Sequence, residues 1–137
     1  MLDKLLRPAS VAVVGASRTP GKVGHAVVAN LVDGGFQGPI YPINPQSDEI
    51  LGLRCHGSLA EIKESVDLCV IAVPPGRVKE AVESAIGARV GAVTILTAGF
   101  KEVGEEGAAV ESEITELCRQ RKVPLMGPNC LGLINAH

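Results

Sequence analysis

Two loops in this chain carry residue types that could do chemistry. The first is Gly15-Ala16-Ser17-Arg18-Thr19-Pro20-Gly21-Lys22-Val23-Gly24, and the second is Gly127-Pro128-Asn129-Cys130-Leu131-Gly132-Leu133-Ile134-Asn135. Each follows a short apolar run of strand character. The front loop offers backbone N–H groups ahead of a helical stretch, an arrangement that binds anions through hydrogen bonds and the helix dipole, and Arg18 and Lys22 add mobile positive charge. A phosphate-bearing ligand is the natural guest. Spacing narrows the class: five residues separate Gly15 from Gly21, whereas the dinucleotide fingerprint G-x-G-x-x-G places its second glycine two positions after the first. A Walker A loop requires Ser or Thr after its lysine, and here Val23 follows Lys22. The plainer alternative is that Gly21 and Gly24 make only a tight turn and a close contact between helix and strand.

Three more segments end strand-like runs. Asn44-Pro45-Gln46 stands where an NAD-binding domain usually carries an acid for the ribose hydroxyl, which counts against a dehydrogenase, although turn chemistry accounts for Asn-Pro equally well. Val73-Pro74-Pro75-Gly76 and Thr97-Ala98-Gly99-Phe100 combine proline, which stiffens a loop, with glycine, which lets backbone approach a ligand; either can also be a simple strand terminator. Cys130 has no histidine at a recognisable position to act as its base, so it reads as a small packed residue rather than a nucleophile. The acidic runs 102–106 and 111–116 read as the first turns and solvated face of a helix rather than a metal site.

The elements that must position these loops alternate along the chain. Ser10 to Val14, Ile40 to Ile43, Val66 to Val73, Ala92 to Leu96 and Val123 to Met126 read as strands. Helical periodicity covers His25 to Asp33, about Arg77 to Ile86 and about Glu105 to Gln120, Ser58 caps a short helix through Glu64, and Leu53 to His56 adds a brief extra strand. Strand-helix alternation predicts a Rossmann-like, doubly wound α/β domain with a mainly parallel sheet and helices on both faces, spanning residues 1–137 as one unit. In such a sheet the loops at the carboxyl ends of the strands converge on one crevice, so loops far apart in sequence can line one site.

Composition excludes several classes. With 137 residues, 46% hydrophobic and 20% charged, the chain is globular rather than disordered, and no apolar run approaches the ~20 residues of a membrane span. The first residues lack a signal peptide's apolar core, and Asp3 argues against a transit peptide, so a cytoplasmic, soluble protein is expected. A net charge of −2 with no Trp, one Tyr and two Phe gives neither a basic field nor a stacking platform for nucleic acid. Cys55, Cys69, Cys118 and Cys130 lack metal-ligand spacing and read as reduced thiols.

Taken in order, the Gly15–Gly24 loop, Val73-Pro74-Pro75, Thr97-Ala98-Gly99-Phe100 and the Gly127–Asn135 run resemble the coenzyme A-binding domain of the nucleoside-diphosphate-forming acyl-CoA synthetases. That family includes the ADP-forming acetate-CoA ligases and the α subunit of succinyl-CoA synthetase, and the resemblance covers Leu5 to Asn135. It implies that the domain binds coenzyme A or an acyl-CoA. The cofactor-binding positions it implies are Gly15, Ala16, Ser17, Arg18, Lys22, Val23 and Gly24 in the front loop and Asn44, Pro45 and Gln46 after the second strand. Val73, Pro74 and Pro75 shape the pocket, Thr97, Ala98 and Gly99 contact the coenzyme, and Asn129 and Cys130 complete the set. Gln46 departs from the family's frequent Asn-Pro-Lys and removes one positive charge near the nucleotide end.

The same resemblance places the covalent phosphohistidine in a following domain and acyl-phosphate chemistry in an ATP-grasp domain. None of His25, His56 and His137 matches that phosphohistidine. The expected role is therefore binding without catalysis, with no catalytic residue and no metal, as a fragment or subunit working with further synthetase domains or an ATP-grasp subunit. Fusion to a lysine acetyltransferase domain is a related architecture. A free-standing CoA-binding regulatory protein, an NAD(H)-binding redox domain and a domain with a vestigial pocket stay open as alternatives.

Overall fold

The computed structural model describes residues 6–96 and 105–126, without the side chains of 105–108. Its strands are β1 (Val11–Val14), β2 (Ile40–Ile43), β3 (Glu49–Ile50), β4 (Leu53–Arg54), β5 (Leu68–Ile71), β6 (Ala92–Ile95) and β7 (Leu125–Met126). Between them lie the helices α1 (Val23–Asp33), α2 (Pro75–Gly87) and α3 (Glu105–Gln120), with a single 3₁₀ turn at Leu59–Glu61. Five strands form one parallel sheet in the order β2-β1-β5-β6-β7. The chain leaves β1 for one neighbour and returns to its other side as β5, so the order reverses between β1 and β5, where an open α/β sheet opens its crevice.

Register makes that crevice level. Val11 pairs with both Ile40 and Leu68, and Leu68 with Ala92, so Val14, Ile43, Ile71 and Ile95 all end at one height. Polar contacts at the opposite edge pin this alignment. The buried Asp67 carboxylate accepts a hydrogen bond from the Ala9 N–H at 2.7 Å. The Ser10 hydroxyl accepts one from the Asp67 N–H at 3.0 Å and donates to the Ser65 carbonyl at 3.1 Å. A polar residue inside an otherwise apolar run is costly when buried unless it is paired. Here the pairing joins the starts of β1 and β5.

Side chains alternate across the sheet, as strand geometry requires. Val11, Val13, Leu68, Val70 and Ala92 meet α1 through Val27, Val28 and Leu31. Ala12, Cys69, Ile71, Val93 and Ile95 meet α2 and α3 through Val78, Val82, Ile114 and Cys118. The doubly wound arrangement expected from the sequence is therefore present, with helices on both faces.

The differences from the sequence-based expectations are local. The helix expected from Ser58 through Glu64 is only the 3₁₀ turn, and Ser58 makes no side-chain cap. Instead the Glu61 carboxylate accepts the Gly57 N–H at 3.1 Å, holding the turn from within. The expected strand at 53–56 is shortened to β4, which pairs antiparallel with β3, and His56 adds a single parallel bridge to Ile43. The intervening Leu51 and Gly52 both have positive φ, 51° and 81°, the requirement of a two-residue hairpin turn. α2 starts at Pro75 rather than at Arg77, because proline at the first helical position loses no hydrogen bond.

Thr94 is fully buried in β6, and its hydroxyl has no hydrogen-bond partner among the described residues. Thr94→Val keeps the shape and removes the unsatisfied group, so it should stabilise the fold by about 1 kcal/mol, seen as a rise of about 3 °C in melting temperature. The thiols supply a second test. Burial pushes Cys69 up to about 12 and raises Cys118 as well. Both should resist iodoacetamide at pH 8 in the folded chain, while half-exposed Cys55 reacts ahead of them, as peptide mapping by mass spectrometry would read. Since the unfolded thiols ionise from about pH 8.5, this contribution to stability is whole below that pH and declines as pH rises through the alkaline range.

Candidate functional site

Chain leaves β1 through Gly15, whose φ is 90°. A Cβ there would lie 2.5 Å from the Ala72 carbonyl oxygen, so only glycine lets the ends of β1 and β5 sit this close. At Gly24, in the first turn of α1, a Cβ would overlap the Gly15 carbonyl oxygen. The expectation of a close contact between helix and strand therefore holds, and α1 is drawn tightly over the end of β1.

Two side chains brace the loop between these glycines. Asn44 Nδ2 donates to the Ala16 carbonyl at 2.9 Å, while its Oδ1 accepts the Gln46 N–H at 2.7 Å. His25 Nδ1 lies 3.0 Å from the Ser17 carbonyl; a carbonyl only accepts, so that nitrogen carries the proton. Within the loop, Ser17 Oγ accepts the Thr19 N–H at 3.0 Å. Because a trans peptide directs its C=O and the following N–H oppositely, the Ser17 and Arg18 N–H groups point away from Asn44 and His25 respectively. Asn44 thus does more than turn the chain after β2: it ties that loop to the loop after β1.

The carboxyl edge opens into a crevice with two lobes. The larger, about 560 Å³, lies between the starts of α1 and α2 and is lined by Ser17, Lys22, Val23, Gly24, Pro74, Pro75 and Leu96 among others. The smaller, about 380 Å³, lies between α2 and the loop after β2, with Asn44, Pro45, Gln46, Ser58, Glu80 and Ser84 in its wall. Gly15, Val73 and Arg77 line both. Ala16 is buried behind the loop, and Arg18 lines neither lobe. The Arg18 charge is instead felt at Cys55, where it opposes the upward push of burial and of Asp48. Thr97, Ala98, Gly99, Asn129 and Cys130 lie outside the described residues, although β6 and β7 bring the chain to the same edge.

Electrostatically the crevice favours an anion. α1 and α2 both begin here, neither has a side-chain cap, and neither carries an acid in its first turn, so two positive dipole ends are left uncompensated. Lys22 and Arg77 add full charges. Burial raises the thiols of Cys55, Cys69 and Cys118, so none of them is an activated nucleophile. Among the described residues no cluster of His, Cys, Asp or Glu could hold a metal ion, and no helix is long and apolar enough to cross a membrane. The acids of α3 serve its surface: Glu113 pairs with Lys79 at 2.6 Å and Glu116 with Arg119 at 2.7 Å.

Arg77 and His25 were not among the expected site residues. With α2 started at Arg77, the residue looked like the helix's beginning; starting at Pro75 puts it inside the first turn, facing both lobes. Nothing in the spacing of His25 reveals that its ring reaches back to Ser17.

The sequence profile described as the CoA binding domain matches residues 9–136. An ADP-forming acetate-CoA ligase of Methanocaldococcus jannaschii is 45% identical over 130 residues, 95% of this chain and 18% of that protein. The α subunit of ADP-forming acetate-CoA ligase II of Pyrococcus furiosus is 40% identical over 138 residues, covering 100% of this chain and 30% of the subunit. Among solved structures, the dinucleotide-forming acetyl-coenzyme A synthetase 1 of Candidatus Korarchaeum cryptofilum, in complex with phosphate and ADP, superposes with a TM-score of 0.91 at 36% identity. That superposition covers 99% of this chain and 30% of the synthetase. The chain thus spans less than a third of the length of these relatives. On the match over nearly all its residues, with the parallel sheet and glycine-lined crevice that go with it, the chain belongs to the CoA-binding domain family found in the ADP-forming acyl-CoA synthetases.

Proposed function

We propose that this chain binds coenzyme A, free or acylated, in the crevice at the carboxyl edge of the sheet, as the coenzyme-binding module of a nucleoside-diphosphate-forming acyl-CoA synthetase. The observation that carries the reading is the meeting of two uncapped, acid-free helix starts at one glycine-lined crevice, in a chain whose family is defined by binding this coenzyme. The smaller lobe offers amide, hydroxyl and carboxylate groups that suit the nucleotide, while the Val23, Pro74, Pro75 and Leu96 surfaces of the larger lobe suit the pantetheine arm. Both volumes fall within the usual range for small-molecule clefts.

The module's task is to hold and present the coenzyme thiol to an acyl group activated elsewhere in the synthetase. Backbone N–H groups of the front loop and the Lys22 ammonium meet phosphate oxygens, and Asn44 and His25 keep the loop in the shape that allows it. Further synthetase domains, or a separate ATP-grasp subunit, supply the acyl phosphate and are this domain's partners. An NAD(H)-binding role is disfavoured at the same place: Asn44, Pro45 and Gln46 put no carboxylate after β2 to receive a ribose diol.

Thermal unfolding tests the ligand class. At one hundred times its dissociation constant a ligand that binds only the folded chain adds about 2.7 kcal/mol, so coenzyme A should raise the melting temperature by several degrees, ADP by less, and NAD hardly at all. A shift with NAD as large as that with coenzyme A would overturn the assignment. The loop brace gives an independent check by calorimetric titration. Asn44→Ala removes two hydrogen bonds that shape the loop and should cost about 1–3 kcal/mol of stability together with a several-fold loss of coenzyme A affinity. Lys22→Ala should weaken binding moderately, flatten its salt dependence and leave the melting temperature of the free chain unchanged.

A further inference from the structure

We propose that Arg77 grips the 5′-diphosphate of the bound coenzyme at the junction of the two lobes. The inference rests on the reading of the crevice as a coenzyme A site and adds the residue that selects among its phosphates. Among the described residues three line both lobes, Gly15, Val73 and Arg77, and of these only Arg77 carries a charge. Among the described residues it is also the one cation in the wall of the smaller lobe, whereas Lys22 reaches only the larger. A ligand with its polar end in one lobe and its less polar arm in the other must pass this junction, and in coenzyme A the group that joins nucleoside to pantetheine is the diphosphate.

Arg77 is available for that task. Its guanidinium makes no hydrogen bond or ion pair among the described residues. Lys79, two positions on, is instead held by Glu113 of α3 at 2.6 Å. The Arg77 N–H donates to the Pro74 carbonyl at 2.9 Å, which fixes the residue in the first turn of α2, so helix dipole and side-chain charge act on the same anion. A guanidinium presents a planar fork of donors that can engage two oxygens of neighbouring phosphates at once, which an ammonium cannot do. Glu80 sets the boundary on the other side. One turn further along α2 it lines the smaller lobe alone, and its carboxylate repels any phosphate placed deeper than the junction. The diphosphate is thereby kept beside Arg77.

Calorimetric titration of the chain with coenzyme A and with 3′-dephospho-coenzyme A, in the wild type and in Arg77→Gln, Arg77→Lys and Lys79→Gln, tests the assignment. Arg77→Gln should weaken both ligands by the same factor, about tenfold. Arg77→Lys should recover part of the loss, and Lys79→Gln, whose partner is Glu113, should bind both ligands as the wild type does. Unchanged affinity in Arg77→Gln would overturn the assignment. So would a loss confined to coenzyme A, which would put Arg77 on the 3′-phosphate, or an equal loss in Lys79→Gln, which would reduce the effect to the overall charge of α2. Failure of the wild-type chain to bind either ligand would remove the reading of the crevice, and this assignment with it; wild-type binding that Arg77→Gln leaves unaltered would overturn the assignment alone.

Discussion

The level alignment of the parallel strands is the constraint on which everything at the crevice depends. A slip of one residue between β1 and β5 would send every side chain of the displaced strand to the opposite face, breaking both cores and carrying Gly15 away from Ala72. Apolar contacts between Val11 or Val13 and Leu68 or Val70 are tolerant of a two-residue slip, which returns each side chain to its own face, since the residues are alike in size. The Asp67 and Ser10 contacts at the far edge are not. A buried carboxylate that has lost its N–H partner is costly, so the polar knot at one end of the sheet discriminates registers that the hydrophobic residues do not, and the geometry at the other end follows from it.

From that alignment the crevice is assembled by close approach rather than by long side chains. Glycine at positions 15 and 24 brings β1, α1 and the end of β5 within van der Waals distance, and the loop between is held at its carbonyls by Asn44 and His25. What the crevice presents is therefore largely backbone N–H groups and helix dipoles, with Lys22 and Arg77 as the charged additions. A loop braced this way is held in shape before any ligand arrives, which would reduce the ordering cost of binding.

Much of this was legible in the chain itself, for identifiable reasons. Runs such as Val11–Val14 and Leu68–Ile71 are almost wholly aliphatic, with Gly15 directly after the first and Pro74 soon after the second, and the bounds of α3 were read correctly because its apolar period stands out against a charged face. Asn44 was expected as a turn residue or a coenzyme contact but not as a brace, since the partner carbonyl at Ala16 is 28 positions away. β3 was missed because two residues carry no period, and the turn beside it places leucine where asparagine is the usual signal. Ser58 resembled a helix cap, yet the acid that holds that turn is Glu61. Arg77 and Asp67 share a cause: the surroundings of each are assembled only by tertiary pairing, so local pattern is silent about them.

The knot between Asp67 and the start of β1 has a kinetic side as well. Asp67 lies 58 positions from Ala9 and 57 from Ser10, so the pairing of β1 with β5 closes a long segment of chain and bears its loop-closure entropy before the contacts reward it. Mixed α/β topologies with such separations fold more slowly than helical bundles of similar size. β1, α1 and β2 are near in sequence and can associate early, yet on their own they offer only half of the crevice, with Lys22 and Asn44 but neither Ala72 nor Arg77. The completion of the crevice and the slow, long-range step of folding are thus one event, and a nascent chain has only one wall of it before that step is complete.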